Sequence, residues 1–308
     1  MDIKRPFRLS SVLTGFFPES VNKLETLLDG IALSAEMGFD TVEFFYDGPE
    51  TDQVRKALDL HGMASIFLAS YGMKTRRLDP GHPDRTEGGR VFDLIQEWIN
   101  KARECGSPRV MIVSGPECQE PREREKCLRR TRALIHALCD YGAQGSEPVQ
   151  ISLEPFNNTG EPSLLLGPTY RSTAMAESLS ADCVNFSLTI DLSHLLQLRE
   201  DPQKSVDEAA RYCSHIHLAN CVIRDPGHPL FGDKHPPFGV PEGEVDKEFL
   251  TAFLKKILMN KVLLNHPSPL TIGLEVITRG AEDPAEVMAE AKRTFDTVYN
   301  SSIRTGAG

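Results

Sequence analysis

Val149–Asn157 reads VQISLEPFN, and Val184–His194 reads VNFSLTIDLSH. Each is a short apolar run that ends in a carboxylate, Glu154 in the first and Asp191 in the second, and His194 lies three residues beyond Asp191. Carboxylates at the ends of apolar runs are costly to bury unless they are paired or bound to a metal. These two runs therefore point to a pair of strand ends that anchor a metal site.

The same punctuation continues outward along the chain. Phe7–Phe17, Thr41–Phe45, Met63–Ser70 and Arg109–Ser114 read as strands before Val149–Glu154, while Phe186–Asp191, Ser214–Leu218 and Leu270–Val276 read as the later ones. Between them lie segments with helical apolar spacing: Glu19–Met37, Thr51–Leu60, Arg90–Cys105, Arg122–Tyr141, Tyr170–Leu179, Ser205–Tyr212, Lys247–Leu258 and Pro284–Tyr299. Gly72–Gly89 and Ala219–Glu244 read as loops. Successive strand ends are 26 to 58 residues apart, which fits one βα unit of roughly 30 residues plus a variable loop. Eight such units predict a single-domain (β/α)8 TIM barrel over residues 1–301, followed by a disordered tail at 302–308. A doubly wound open sheet is the alternative, but no Gly-rich phosphate loop follows the first strand.

The formal net charge of −10 argues against a nucleic-acid partner, whose phosphates would be repelled. The seven cysteines form no CxxC pair and are odd in number, the pattern of reduced thiols packing as small hydrophobes. The opening MDIKRPFRLSS lacks the apolar core of a signal peptide, and no apolar run reaches about 18 residues. The expectation is a cytoplasmic protein without membrane contact.

Polar side chains fall at the C-terminal ends of five predicted strands: Glu43, Glu154, Asp191, His217 and Glu275. At the rim of a barrel such side chains converge on one axial spot. Two Glu, an Asp and a His supply hard oxygens and one imidazole, a donor set for Mn, Mg, Co or Zn. Lys and Arg are absent from strands five, six and eight, so a metal is a better compensating charge than an ion-pair network. His215 and His217 share a strand face; His217, nearer the rim, is the expected ligand and His215 a core histidine. Glu43 reads either as an outer partner that orients a ligand or as a surface or structural residue. A further group, Arg224-Asp225-Pro226-Gly227-His228 and Gly232-Asp233-Lys234-His235, lies in the loop after strand seven. With His194 it could complete a second site, although such loops are also ordinary turns. The basic stretch with Lys74, Arg76, Arg77 and Arg85 reads as a solvated loop or a lid, Trp98 as helix packing, and Tyr71, Phe156, Phe231 and Phe238 as candidate pocket walls.

Four motifs, LEPFN, DLSH, HIHLAN and LEV, resemble the xylose isomerase-like barrel superfamily, which includes D-tagatose 3-epimerase, hydroxypyruvate isomerase and endonuclease IV. The resemblance implies that Glu154, Asp191, His217 and Glu275 bind one divalent metal, that Glu154 and Glu275 exchange protons with the substrate, and that His194 contacts it. From the endonuclease it implies a second metal at His194, Asp233 and His235. The predicted third and fourth strands end in LASYG and IVSGP, where the endonucleases carry histidines for their remaining zinc, so DNA repair is disfavoured. In the epimerases an arginine stands at the position of Ile223; here Arg224, one residue later, is the candidate for substrate binding.

The expected function is a divalent-metal-dependent sugar isomerase or epimerase, moving a proton through a metal-stabilised enediolate with Glu154 and Glu275 as acid and base. A metal-dependent lyase or dehydratase on a keto-sugar would use the same ligands. An endonuclease-like phosphodiesterase and a non-catalytic sugar binder are the remaining alternatives. The expected partner is a small carbohydrate, and a homo-oligomer is compatible with the sequence.

Overall fold

The computed structural model of the chain describes residues 5–118, 120–157 and 162–304. Eight strands, β1 (Arg8–Val12), β2 (Thr41–Phe44), β3 (Ala64–Phe67), β4 (Arg109–Val113), β5 (Gln150–Glu154), β6 (Phe186–Asp191), β7 (Cys213–Ala219) and β8 (Thr271–Glu275), pair in sequence order. All pairs are parallel, and β1 closes onto β8 with Arg8 opposite Thr271 and Ser11 opposite Leu274. The closed (β/α)8 barrel is thus the fold, and the open sheet is excluded.

Two faces alternate along each strand with period two. Val42, Leu153, Leu188, Ile216 and Leu274 are fully buried in the apolar layer between barrel and helices. The intervening positions carry Glu43, Ser152, Thr189, His215 and Gly273 and meet one another inside the barrel. The helices bury one apolar stripe each. In Arg85–Cys105 the buried positions Val91, Ile95, Trp98, Ile99, Ala102 and Cys105 recur every three or four residues, and Asp84 caps the first turn by accepting from the N–H groups of Thr86 and Glu87.

Several expected boundaries move. The first strand stops at Val12 and the chain turns into the short helix Leu13–Phe16, where Gly15 passes so close to β8 that a Cβ would lie 2.7 Å from the Val276 carbonyl oxygen. Met63–Ser70 is likewise shortened, because helix Ala69–Thr75 begins directly after β3. That helix, together with the earlier start of Arg85–Cys105, replaces both ends of the expected Gly72–Gly89 loop. A further helix, Leu192–Gln197, follows β6 and contains His194. The final helix runs to Arg304, with Ser302 buried, so a tail beginning at 302 is corrected: apolar contacts hold one more turn, and residues 305–308 lie outside the described residues. The expected loop Ala219–Glu244 begins one residue later, since β7 takes Ala219, and residues 220–244 contain no helix or named strand. All seven cysteines are free, and five of them are buried. Among the described residues no helix is long and apolar enough to cross a membrane.

Candidate metal centre

Glu154, Asp191, His217 and Glu275 come from the C-terminal ends of β5, β6, β7 and β8, and each offers a ligand atom within 4.8 Å of the others. His217 Nδ1 is 2.8 Å from Glu275 Oε2, 3.5 Å from Glu154 Oε1 and 3.8 Å from Asp191 Oδ2. The four side chains predicted from strand ends are therefore brought together.

The protonation of His217 is set from behind. Glu43, fully buried on β2, accepts from His217 Nε2 and from His215 Nε2, each at 2.9 Å. His217 therefore spends its Nε2 hydrogen on Glu43 and turns the lone pair of Nδ1 toward three carboxylates. His215 Nδ1 faces Thr189 Oγ1 at 3.2 Å, and Thr189 faces Ser152 Oγ at 2.6 Å. This is a chain in which Ser152 and Thr189 donate toward His215. Burial pushes the His215 pKa down to about 4, so it is neutral. Burial raises the Glu43 carboxyl, but the two histidines more than offset that and hold it far below the usual carboxylate range. Glu43 is thus a buried partner of both histidines rather than a surface charge. Gly273 makes the arrangement sterically feasible: a Cβ there would lie 2.5 Å from Glu43 Oε1 and 2.8 Å from His217 Cδ2.

Asp191 divides its two oxygens. Oδ1 accepts from the His194 backbone N–H at 3.0 Å and from Ser193 Oγ at 2.5 Å, capping helix Leu192–Gln197. Oδ2 is buried with no hydrogen-bond partner, as are His217 Nδ1 and Glu275 Oε2, despite the short approach of the last two. Three orphaned buried atoms facing one another, all acceptors once Nε2 carries the hydrogen, need a positive species between them. A divalent cation fits that donor set. Without one, a proton takes its place: burial pushes the His217 pKa down, and Glu43 and Glu275 reverse this to leave it well above 6.5.

The expected second group assembles beside the first. Asp233 Oδ1 lies 3.1 Å from His194 Nε2 and 2.6 Å from His235 Nε2, and His235 Nδ1 lies 3.2 Å from Glu275 Oε1. Asp191, His194 and His235 also present ligand atoms within 4.8 Å of one another. His194 Nδ1 donates to the Pro155 carbonyl at 3.1 Å, which leaves Nε2 for Asp233 or for a cation. His235 is held at φ +41°, in the left-handed region that few side chains adopt, and Ile277 N–H ties its carbonyl to the rim at 2.9 Å. Phe156 covers His194, with ring centroids 3.9 Å apart. Arg224 is not brought to the cluster. Its side chain is 75 % exposed and pairs with Glu244 at 2.7 Å. Trp98 is fully buried packing. Sequence reasoning undervalued Lys74, Ser193 and Gly273; the basic character of the stretch after β3 was the one available signal for Lys74.

A family model described as xylose isomerase-like TIM barrel matches residues 31–291. No curated protein matches in sequence. Among solved structures, an L-ribulose 3-epimerase superposes with TM-score 0.75 at 17 % identity, covering 97 % of this chain and 97 % of that one. A D-tagatose 3-epimerase-like protein gives 0.70 at 15 %, covering 96 % and 99 %. The IolI protein, solved with a bound zinc atom, gives 0.67 at 15 %, covering 97 % and 98 %.

Proposed function

The chain belongs to the xylose isomerase-like TIM barrel family, and on that premise we propose that it is a divalent-metal-dependent isomerase or epimerase of a sugar or sugar derivative. The observation that carries this reading is the bare Nδ1 of His217, presented by Glu43 to three carboxylates from separate strands. Similarity to an L-ribulose 3-epimerase and to a D-tagatose 3-epimerase-like protein supports the choice of substrate class.

Glu154, Asp191, His217 and Glu275 would hold the cation. When bound it would supply Lewis-acid polarisation of a substrate carbonyl and the neighbouring hydroxyl. The proton chemistry belongs to the protein. Glu154 and Glu275 reach the site from β5 and β8, so one, as carboxylate, removes the proton from the carbon next to the carbonyl and the other, as carboxylic acid, donates a proton in its place. Return to the opposite face of the same carbon gives epimerisation, and return to the neighbouring carbon gives aldose–ketose isomerisation. Asp191, anchored through Oδ1, acts as a ligand only. Phe156 supplies an apolar wall that excludes water. His194, Asp233 and His235, with Asp191, would hold a second cation.

The test is turnover of D-fructose, D-tagatose and L-ribulose in D2O by protein loaded in turn with Mn, Co, Mg and Zn. Deuterium should enter the product at a carbon next to the carbonyl without change of formula otherwise. Glu154→Gln and Glu275→Gln should each lose about 10²–10⁴-fold in rate while remaining folded. Full turnover in both variants would sink the proposal, and a product lacking water would replace it with a lyase.

A further inference from the structure

Lys74 lies on helix Ala69–Thr75, and its side chain enters the candidate site from the β3 side. Its Nζ is 4.3 Å from the ring centroid of Phe156, the ring that covers His194. Burial pushes the Lys74 pKa down, and the charges of Asp233, Glu154, Glu275 and Asp191 more than offset this, so the amine is an ammonium facing four carboxylates. None of the four forms an ion pair with it, and among the described residues Nζ makes no hydrogen bond. Nζ thus lies over the ring that covers His194 and within electrostatic range of Glu154 and Glu275. The helix holds this position firmly. Gly72 packs against Trp98 so closely that a Cβ would be 2.6 Å from Trp98 Cη2, and Arg76 pairs with Asp47 at 2.5 Å.

Removal of a proton next to a carbonyl moves one unit of negative charge from a glutamate of this acidic pocket onto the substrate. The C–H electron pair becomes the C=C bond, the carbonyl oxygen takes the charge, and the proton goes to a glutamate. The neighbouring carboxylates that stay charged oppose a negative oxygen beside them, and a preorganised cation favours it. We infer that Lys74 is a further catalytic residue, whose ammonium donates to the substrate oxygen that becomes negative as the proton leaves. The inference rests on the proton-transfer reading above but holds whether epimerisation, isomerisation or elimination follows. Lys74 stays protonated throughout, and the cation–π contact with Phe156 fixes its place.

Two measurements test it on the Mn-loaded full chain. With a ketose turned over in the panel above, Lys74→Met should lower kcat about 10²–10³-fold with KM and unfolding temperature little changed, and Lys74→Arg should recover part of the loss. Independently of turnover, the planar enediolate analogue glycolohydroxamate should bind Lys74→Met at least about tenfold more weakly than wild type, while the neutral glycolamide binds both alike. Equal kcat in Lys74→Met, or equal affinity for the hydroxamate, overturns the assignment. If wild type turns over no ketose yet shows the hydroxamate difference, the sugar reading fails and the role of Lys74 stands. If wild type neither turns over a ketose nor binds the hydroxamate, both are overturned.

Discussion

Replacing Glu43 with glutamine keeps its volume and removes one acceptor from the most deeply buried part of the site. Oε1 of Glu43 now serves His215 and Oε2 serves His217, both at 2.9 Å. A glutamine carbonyl can serve only one of them, and its NH2 then meets the N–H of the other. One imidazole has to move its hydrogen to Nδ1 or lose its bond. For His215 the move destroys the acceptor that Thr189 Oγ1 uses at 3.2 Å. For His217 it places a hydrogen on the atom that faces Glu154, Asp191 and Glu275. A hydrogen bond to a charged group is worth about 1.5–3 kcal/mol. Loss of the outer partner of a ligating histidine weakens metal binding roughly 10–100-fold, which is about 1.4–2.7 kcal/mol. The two scales agree, so Glu43→Gln should raise the dissociation constant for Mn or Zn by 10- to 100-fold on those grounds. Competition against a chelating dye measures it, with circular dichroism to establish folding. An affinity within about twofold of wild type would refute the idea that Glu43 sets the His217 tautomer.

Gly273→Ala pushes a methyl group against Glu43 Oε1 and His217 Cδ2; it should cost about 1–3 kcal/mol in denaturant unfolding and weaken metal binding in parallel, and an unchanged midpoint with unchanged affinity would contradict the close packing. In the metal-free protein His217 and His235 have pKa values raised well above 6.5 by Glu43, Glu275 and Asp233, against the opposing effect of burial. The stability they contribute is complete below the unfolded value of 6.5 and is lost as pH rises through the raised folded values. Thermal unfolding in excess chelator should therefore fall with rising pH above neutrality, whereas metal binding tightens as those protons leave; a melting temperature independent of pH across that window would count against it. Asp233→Asn should remove a second, weaker cation and leave the first, read as the change in metal stoichiometry by titration, and identical stoichiometry in both proteins would remove the second site.

Much of the barrel was legible because its strands are short apolar runs with period two, each closed by a polar residue. Phe186–Asp191 matches the structure in both bounds, and Asp191, which ends it, caps the helix that follows. The strand after Phe7 and the strand before Tyr71 were read too long. Apolar residues that continue into a short helix look the same as a strand when no periodicity separates them over four to seven residues. The convergence of Glu154, Asp191, His217 and Glu275 was legible from their places at strand ends, because barrel closure carries every such end to one rim. Arg224, chosen by position in a motif, instead turned to Glu244, since loop geometry is not encoded in spacing.

The sequence by itself determined which residue types end each strand, and with them the donor set and the chemistry that set allows. Only the tertiary structure decided which atom of each donor is free. The bond that assigns the His217 hydrogen joins residues 174 positions apart, and the space it occupies exists because β8 carries a glycine opposite Glu43. The direction of Lys74 depends likewise on a helix seated against Trp98. Hydrogen bonds and charges act over a few ångströms, and distances of that order between remote residues exist only once the barrel has closed.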